Sequence, residues 1–98
     1  DAIYEYIVRL VESTRHHESI AVGSSMRGAL ALTLCARVWA AADNRGYVIP
    51  DDVKALAVPV LAHRVLLTSE ALFTALTAEQ VVAQILEEVP APAQSAAL

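Results

Sequence analysis

One segment near the middle of the sequence constrains the fold more than any other. Residues 23–44 read GSSMRGALALTLCARVWAAADN, with few charges and no proline. An apolar run of this length at helical spacing predicts one long helix, and the hydroxyl of Ser24 or Ser25 can cap its first turn by accepting a backbone N–H. Apolar residues fall on two nearly opposite sides, so we expect other helices to cover both sides. One side comprises Leu30, Leu34, Val38 and Ala41, and the other comprises Gly28, Leu32, Cys35 and Trp39.

Arg27 is the unusual residue of this segment, because it places a cation in the first turn of the predicted helix. The positive end of a helix macrodipole disfavours a cation by about 0.3–1 kcal/mol unless an anion lies nearby. The free N–H groups of that turn, together with a guanidinium, favour a phosphate. The alternatives are an ion pair with Glu12 or Glu18, or a solvated side chain. The residues alone therefore indicate a site at Arg27 and leave its ligand open.

Composition favours a single domain that docks on another surface. The 98 residues are 56% hydrophobic and 18% charged, so a small domain with a large surface would expose apolar area for a partner. A net charge of −4 with dispersed basic residues argues against nucleic acid. No apolar run reaches the roughly 20 residues of a membrane helix, so we expect no membrane insertion. A single cysteine, Cys35, and no visible secretory signal favour the cytoplasm.

Three further helices are predicted around the central one. Residues 1–15 carry apolar side chains at helical spacing, Pro50 is typical of a first helical position, and Thr77 with Gln80 three residues later forms a capping-box pattern. The predicted fold class is all-α, a four-helix bundle. A minimal two-stranded ribbon is predicted to pair Tyr47–Ile49 with Val65–Leu67.

Two segments are predicted to lack regular structure. Residues 68–76 are interpreted as a loop that tucks three apolar side chains into the core. These are Leu72, Phe73 and Leu76. Residues 90–98, PAPAQSAAL, contain two prolines and no apolar period, which predicts a disordered tail after one domain at residues 1–89.

The sequence lacks the signatures of a self-contained enzyme. Asp51 and Asp52 form a carboxylate pair, but their position after Pro50 favours helix initiation over acid/base catalysis. His16 and His17 point about 100° apart on a helix and have no neighbours at zinc-ligand spacing, so no metal site is predicted. GxSxG, HExxH, CxxC and GxxxxGK[ST] are all missing. We therefore expect no catalysis by this fragment alone.

Three motifs in the same order resemble the C-terminal helical lid of MoxR-type AAA+ ATPases. They are GSSMRGALAL at residues 23–32, ADNRGYVIPDDVKALAVPVLAHRVLL at residues 42–67 and TAEQVVAQILEEVP at residues 77–90. The resemblance covers about residues 2–90. It implies a four-helix AAA+ lid domain that follows a P-loop module, and the P-loop module would bind ATP and Mg²⁺.

The resemblance also implies roles for particular residues. Arg27 matches the sensor 2 arginine, which reaches toward the γ-phosphate of ATP. Ser24, Ser25 and Met26 are further candidates for nucleotide contact. Met26 stands where the family usually has proline, which implies a less rigid start to the helix that aims Arg27. Ile49 stands where Thr or Ser is common, and it cannot cap with a hydroxyl, so we expect that helix start to lose about 0.5–2 kcal/mol.

For the parent protein, the resemblance implies a ring-forming, usually hexameric, chaperone-like ATPase that matures or activates partner complexes. Von Willebrand A-domain proteins are the implied partners. His63 and Arg64 also match the family pattern, without a predicted mechanism. Two alternatives stay open at this point: a helix-turn-helix DNA-binding domain with residues 24–39 as the recognition helix, and a free-standing helical adaptor.

Overall fold

The chain folds into an all-α domain, as predicted from its sequence. A computed structural model describes residues 2–92. The elements are α1 (Ala2–His16), β1 (Ile20–Val22), α2 (Met26–Ala42), α3 (Pro50–Leu61), a 3₁₀ turn (Ala62–Arg64), β2 (Leu66–Leu67), the short α4 (Ser69–Phe73) and α5 (Ala78–Glu88). The four predicted helices are confirmed, and α4 is an additional helical turn. No helix within the described range is both long and apolar enough to cross a lipid bilayer.

Helix α2 buries one side only, chiefly against α3 and then against α1. The buried side is mostly small, with Ala29, Ala36 and Ala40 around a single large residue, Leu32. Small side chains allow close approach of the helix axes, which turns the bulky residues of α2 outward. The expectation that both sides are covered is therefore wrong within residues 2–92. The outward residues include Leu30, Leu34, Cys35, Val38 and Trp39.

A two-stranded ribbon is present, but one of its predicted strands is wrong. Antiparallel β2 pairs with β1 rather than with Tyr47–Ile49, with Ile20 opposite Leu67 and Val22 opposite Leu66. Tyr47–Ile49 already has local partners: the Tyr47 carbonyl accepts from Arg45, and the Ile49 N–H donates to Asp52. The Tyr47 carbonyl and the Ile49 N–H are therefore already hydrogen-bonded in the turn that precedes α3, so they do not need partners in a β-ladder.

The turn between α2 and α3 is held by an arginine and a buried aspartate. Asn44, two residues after the end of α2, has φ of 59°, the left-handed conformation that commonly follows a helix C-terminus. Arg45 then donates two parallel bonds to Asp52, Nη1 to Oδ2 at 2.7 Å and Nη2 to Oδ1 at 2.6 Å. Asp52 also accepts the Ile49 N–H at 2.9 Å. Asp52 thus compensates the missing hydroxyl cap at Ile49, which the sequence did not indicate.

The region before α5 differs from its prediction. Residues 69–73 form α4 rather than a loop, with Thr68 accepting the Ala71 N–H. Leu72 and Phe73 are exposed, Phe73 to 92%, while Ala71 is buried and Leu76 packs partly against the core. A helix turn presents one face inward, and the small Ala71 occupies that face here. The prediction that Leu72 and Phe73 enter the core is therefore wrong.

Helix α5 begins as predicted, with reciprocal bonds between Thr77 and Gln80. The Gln80 N–H donates to Thr77 Oγ1 at 3.1 Å, and the Thr77 N–H donates to Gln80 Oε1 at 3.0 Å. The buried apolar side of α5 comprises Val81, Val82 and Ile85. After α5, residues 90–92 have no regular secondary structure. The rest of the predicted tail, residues 93–98, lies outside the described residues.

Candidate functional site at the start of helix α2

Arg27 occupies the first turn of α2, with its side chain exposed. The first turn contains no acidic residue. Among residues 2–92, no carboxylate forms an ion pair with its guanidinium. Glu12, one of the two predicted partners, lies instead 4.0 Å from Arg15 and 3.6 Å from His16. The described structure therefore leaves a cation at the positive end of a 17-residue helix, where an incoming anion is electrostatically favoured.

Ser25, rather than Ser24, caps α2. Ser25 Oγ accepts the Arg27 N–H at 3.2 Å, and the Ser25 carbonyl accepts the Gly28 N–H at 2.9 Å. Ser25 and Met26 are exposed beside Arg27. Ser24 is buried to 1% exposure, with its N–H donated to Thr14 and its hydroxyl donated to the Ser25 carbonyl. Of the four candidate residues, three therefore reach the surface together, and Ser24 lies beneath them.

The turn that carries these residues is pressed against the C-terminal half of α1. A Cβ placed on Gly23 would lie 2.6 Å from both the Arg15 Cα and the Thr14 carbonyl oxygen. Gly23 therefore serves close packing rather than a positive φ, since its φ is not positive. A Cβ on Gly28 would collide with Ser24 Oγ. Gly23 is therefore required by contact with the backbone of α1, whereas Gly28 makes room for a side-chain hydroxyl.

An open cleft of about 540 Å³ lies beside the turn and includes Arg15, Ser25 and Met26 among its lining residues. It brings a second guanidinium to the same end of the domain as Arg27. The Arg15 ion pair with Glu12 is long and exposed, so it restrains the Arg15 side chain little. The end of the domain around the start of α2 thus combines cationic side chains with a helix N-terminus.

An apolar stripe continues from Arg27 along the outer side of α2. We define the α2 stripe as Leu30, Leu34 and Val38, which are 59%, 51% and 70% exposed. Residues three and four apart share a helix face, so Arg27 and the α2 stripe lie on one side of α2. An apolar row of this kind on a small domain is typical of a docking surface. The Arg27 guanidinium therefore stands at one end of a surface suited to a partner.

The outer side of α2 does not resemble a DNA-recognition helix. A recognition helix presents polar side chains to base edges and phosphates, whereas the α2 stripe is aliphatic. Within residues 2–92, no group of three metal-ligating side chains converges. His63 and Arg64 are exposed in the 3₁₀ turn, and no contact with another described residue assigns them a role.

Sequence reasoning missed Thr14 as part of this site. Thr14 lies ten residues before Ser24, and its buried hydroxyl contacts the turn only through the packing of α1. A threonine at a core-facing helix position is common, so the sequence carries no signal that distinguishes it. The geometry of the turn is what reveals Thr14.

Fold and site together define a helical domain in which the exposed Arg27 guanidinium stands at one end of an exposed apolar row. The sequence matches the AAA lid domain family over residues 12–85, and the chain belongs to that family. The chain is also similar to MoxR-type proteins: it is 36% identical over 100 residues to Chaperone MoxR1 of Mycobacterium tuberculosis, covering 93% of this chain and 26% of the relative. The predicted resemblance to a MoxR-type lid is confirmed.

Two further relatives agree with this assignment. The uncharacterised protein YeaC of Bacillus subtilis is 44% identical over 98 residues, covering 100% of this chain and 31% of YeaC. A crystal structure of a "putative ATPase" from Cytophaga hutchinsonii superposes with a TM-score of 0.88 at 31% identity, covering 95% of this chain and 31% of that one. The chain therefore spans about a third or less of the length of these proteins.

Proposed function

We propose that this domain is the sensor 2 lid of a MoxR-type AAA+ ATPase, and that Arg27 contacts the terminal phosphate of ATP bound to a P-loop module of the same protein. The observation that carries the proposal is the exposed Arg27 guanidinium at the positive end of α2, without a carboxylate partner among residues 2–92. The lid itself comprises residues 1–89. Similarity to Chaperone MoxR1 supports the proposed parent activity.

The chemistry of Arg27 fits this role. ATP with Mg²⁺, bound by the P-loop module, supplies the phosphoryl group and its charge. A guanidinium offers two parallel N–H donors to phosphoryl oxygens, which is stronger and more directional than a single ammonium contact. Exposed Ser25 and Met26 border the same surface. Charge develops on the phosphoryl oxygens during transfer, so Arg27 would stabilise the transition state more than the bound ATP.

The α2 stripe supplies the docking surface in this proposal. Leu30, Leu34 and Val38 would pack on the P-loop module when Arg27 approaches the nucleotide, since they share a face with Arg27. Loss of the terminal phosphate removes the contact at one end of that interface. The lid would then rotate as a rigid body, because its own core is separate from the α2 stripe.

The parent protein, in this proposal, forms a cytoplasmic ring of six subunits, the number usual in its family, and matures partner complexes as a chaperone-like ATPase. Von Willebrand A-domain proteins are its proposed partners. Family membership supports the assembly into a ring, and the similarity to Chaperone MoxR1 supports the chaperone-like activity. A molar-mass measurement on the full-length protein with ATP checks the ring, since a hexamer is expected and a monomer at all concentrations would contradict it.

The decisive experiment replaces Arg27 with alanine in the full-length protein. We expect kcat for ATP hydrolysis to fall by about 10- to 1,000-fold, with ATP affinity changed by less than about threefold, because the interaction forms mainly in the transition state. Arg37→Ala is the matched control. Arg37 is exposed on the same helix ten residues later, about 15 Å along its axis, and we expect normal turnover.

Equal turnover of the wild-type and Arg27→Ala proteins would refute the sensor 2 role. The isolated 98-residue chain provides a second control, for which we expect no measurable hydrolysis. Turnover by the pure chain would instead support catalysis within the fragment. Absence of a P-loop module from the full-length protein would favour the free-standing adaptor.

A further inference from the structure

The hydroxyl of Thr14 connects α1 to the turn that begins α2. It donates its hydrogen to the Val11 carbonyl at 2.6 Å and accepts the Ser24 N–H at 2.9 Å. A hydroxyl has one hydrogen to donate, so the bond to Val11 leaves only acceptor capacity toward Ser24. Both Thr14 and Ser24 are buried, at 0% and 1% exposure. The direction of both bonds is therefore determined, and water does not compete with them.

Ser24 is held from its other side by the first turn of α2. Gly28 leaves the space that Ser24 Oγ occupies, because any Cβ at Gly28 would collide with that oxygen. Ser24 Oγ in turn donates to the Ser25 carbonyl at 3.2 Å. We call Thr14, Ser24 and Gly28 the turn clamp. The turn clamp fixes the backbone of Ser24 between two helices.

The turn clamp acts on Arg27 through Ser25. Ser25 follows Ser24 directly, and its side chain accepts the Arg27 N–H while its carbonyl accepts the Gly28 N–H. A displacement of Ser24 would therefore move the cap of α2 and with it the point from which the Arg27 side chain departs. The Arg27 side chain itself is exposed, so nothing in the described structure beyond its backbone sets its direction.

We propose that Thr14 is a positioning residue for Arg27: its buried hydroxyl, by holding the Ser24 N–H, sets the direction in which Arg27 leaves α2. This inference rests on the proposed sensor 2 role of Arg27. Thr14 contacts no nucleotide in this proposal. A misplacement of about 1 Å at a charged group can lower a rate by about 100-fold, so loss of the Thr14 hydroxyl should affect turnover rather than ATP binding.

The test compares two substitutions of Thr14 in the full-length protein. Thr14→Val keeps the shape and removes the hydroxyl, and we expect kcat to fall by about 10- to 100-fold with the KM for ATP within about twofold. Thr14→Ser keeps the hydroxyl and removes a methyl group, and we expect it to retain most of kcat. Thr33→Val is the matched control, since among the described residues the Thr33 hydroxyl bonds only the Ala29 carbonyl of its own helix. Equal loss of kcat in both Thr14 variants would assign Thr14 to packing and overturn the proposal.

A second pair of variants tests the turn clamp even if Thr14→Val does not fold. Gly28→Ala should displace Ser24 and lower kcat. Adding Ser24→Ala removes the colliding oxygen and leaves the new Cβ 3.3 Å from the Ser24 Cβ, so we expect the double variant to recover at least half of the lost kcat. Failure to recover any kcat would argue that Gly28 acts independently of Ser24, against the turn clamp.

Variants of Arg27 separate this inference from the proposed function. Adding Thr14→Val to Arg27→Ala should lower kcat no further, because there is then no guanidinium to position. If the reductions in kcat caused by Thr14→Val and by Arg27→Ala multiply in the double variant, the positioning role is overturned while the sensor 2 role stays intact. An unchanged kcat in Arg27→Ala alone would refute the sensor 2 role, and the positioning role with it. A reduced kcat in Arg27→Ala with a normal Thr14→Val would refute only the positioning role.

Discussion

Replacement of Gly23 by alanine should be severely destabilising, although it adds only one methyl group to a loop. The new Cβ would lie 2.6 Å from the Arg15 Cα and from the Thr14 carbonyl oxygen, and 2.7 Å from the backbone nitrogen of Arg15. Carbon atoms in ordinary contact lie about 3.5–4.0 Å apart, so the loop must move by about 1 Å. These neighbours are backbone atoms of α1, which cannot turn away as a side chain can.

The magnitude follows from two effects of that movement. Overpacking of this kind costs about 1–3 kcal/mol, and weakening of the bond from Ser24 to Thr14 adds about 0.5–1.5 kcal/mol. We expect the free energy of unfolding to fall by about 2–4 kcal/mol. A domain of this size has about 5–15 kcal/mol in total and loses about 4–8 °C of Tm for each kcal/mol, so the melting temperature should fall by at least about 8 °C.

Gly46→Ala is the matched control for this prediction. No atom lies within 4 Å of a Cβ at Gly46, and Gly46 has no positive φ. Alanine there restricts the unfolded chain and should stabilise the domain by about 0.4–1 kcal/mol. Urea titrations followed by circular dichroism at 222 nm measure both variants. If their unfolding free energies differ by less than about 1 kcal/mol, the close packing of the Gly23 turn on α1 is wrong.

Two further predictions concern stability. The Arg45 guanidinium holds the pKa of Asp52 below its ordinary value, so this carboxylate contributes stability that is present above its unfolded pKa of about 4 and is lost as the pH falls through its folded pKa. The urea concentration at the unfolding midpoint should therefore decrease when the pH is lowered below about 4. Asp52→Asn should be less stable than the wild type at pH 7, and equal midpoints of the two proteins at pH 7 would contradict the role of the ion pair. Ala75 adopts φ of 64° just after α4, so Ala75→Gly should raise the free energy of unfolding by about 0.5–1 kcal/mol. The control Ala55→Gly, on the exposed side of α3, should lower the free energy of unfolding by about 1 kcal/mol. A loss of stability in both variants would show that the left-handed backbone at Ala75 costs alanine nothing.

Helix starts were the most predictable features of the domain, because caps act over three or four residues. The reciprocal bonds of Thr77 and Gln80 and the position of Pro50 at the start of α3 agree with the sequence patterns. Asn44 takes the left-handed position for the same local reason. Each of these signals lies within one helical turn, where neighbouring residues decide the geometry.

Pairings between distant residues were less predictable. The partner of β2 is β1, more than 40 residues earlier, and an apolar triplet such as Tyr47–Ile49 looks equally suitable in sequence. The choice depends on backbone groups that the turn before α3 has already used. Likewise, the bond between Asp52 and Arg45 gave α3 a support that the first-turn pattern of Asp51 and Asp52 did not reveal.

The candidate site divides in the same way. Arg27 is identifiable from the sequence, because a cation in a first helical turn is electrostatically unusual wherever the helix lies. The supporting Thr14 is identifiable only in three dimensions, since its hydroxyl meets Ser24 through the packing of α1. Period alone also did not predict which face of α2 meets the core. The buried face consists mainly of Ala29, Ala36 and Ala40, which belong to neither of the two predicted apolar sides, and it is the face that packs chiefly against α3.

The sequence by itself determined an all-α domain, the starts of its four longer helices and the presence of a cation in the first turn of α2, since these follow from apolar spacing along a helix and from interactions within one turn. The tertiary structure decided which face of α2 is buried, which strand pairs with β2 and how the turn before Arg27 is held. These features depend on the shapes of surfaces that only meet after folding, where a methyl group or one hydroxyl settles whether two elements fit.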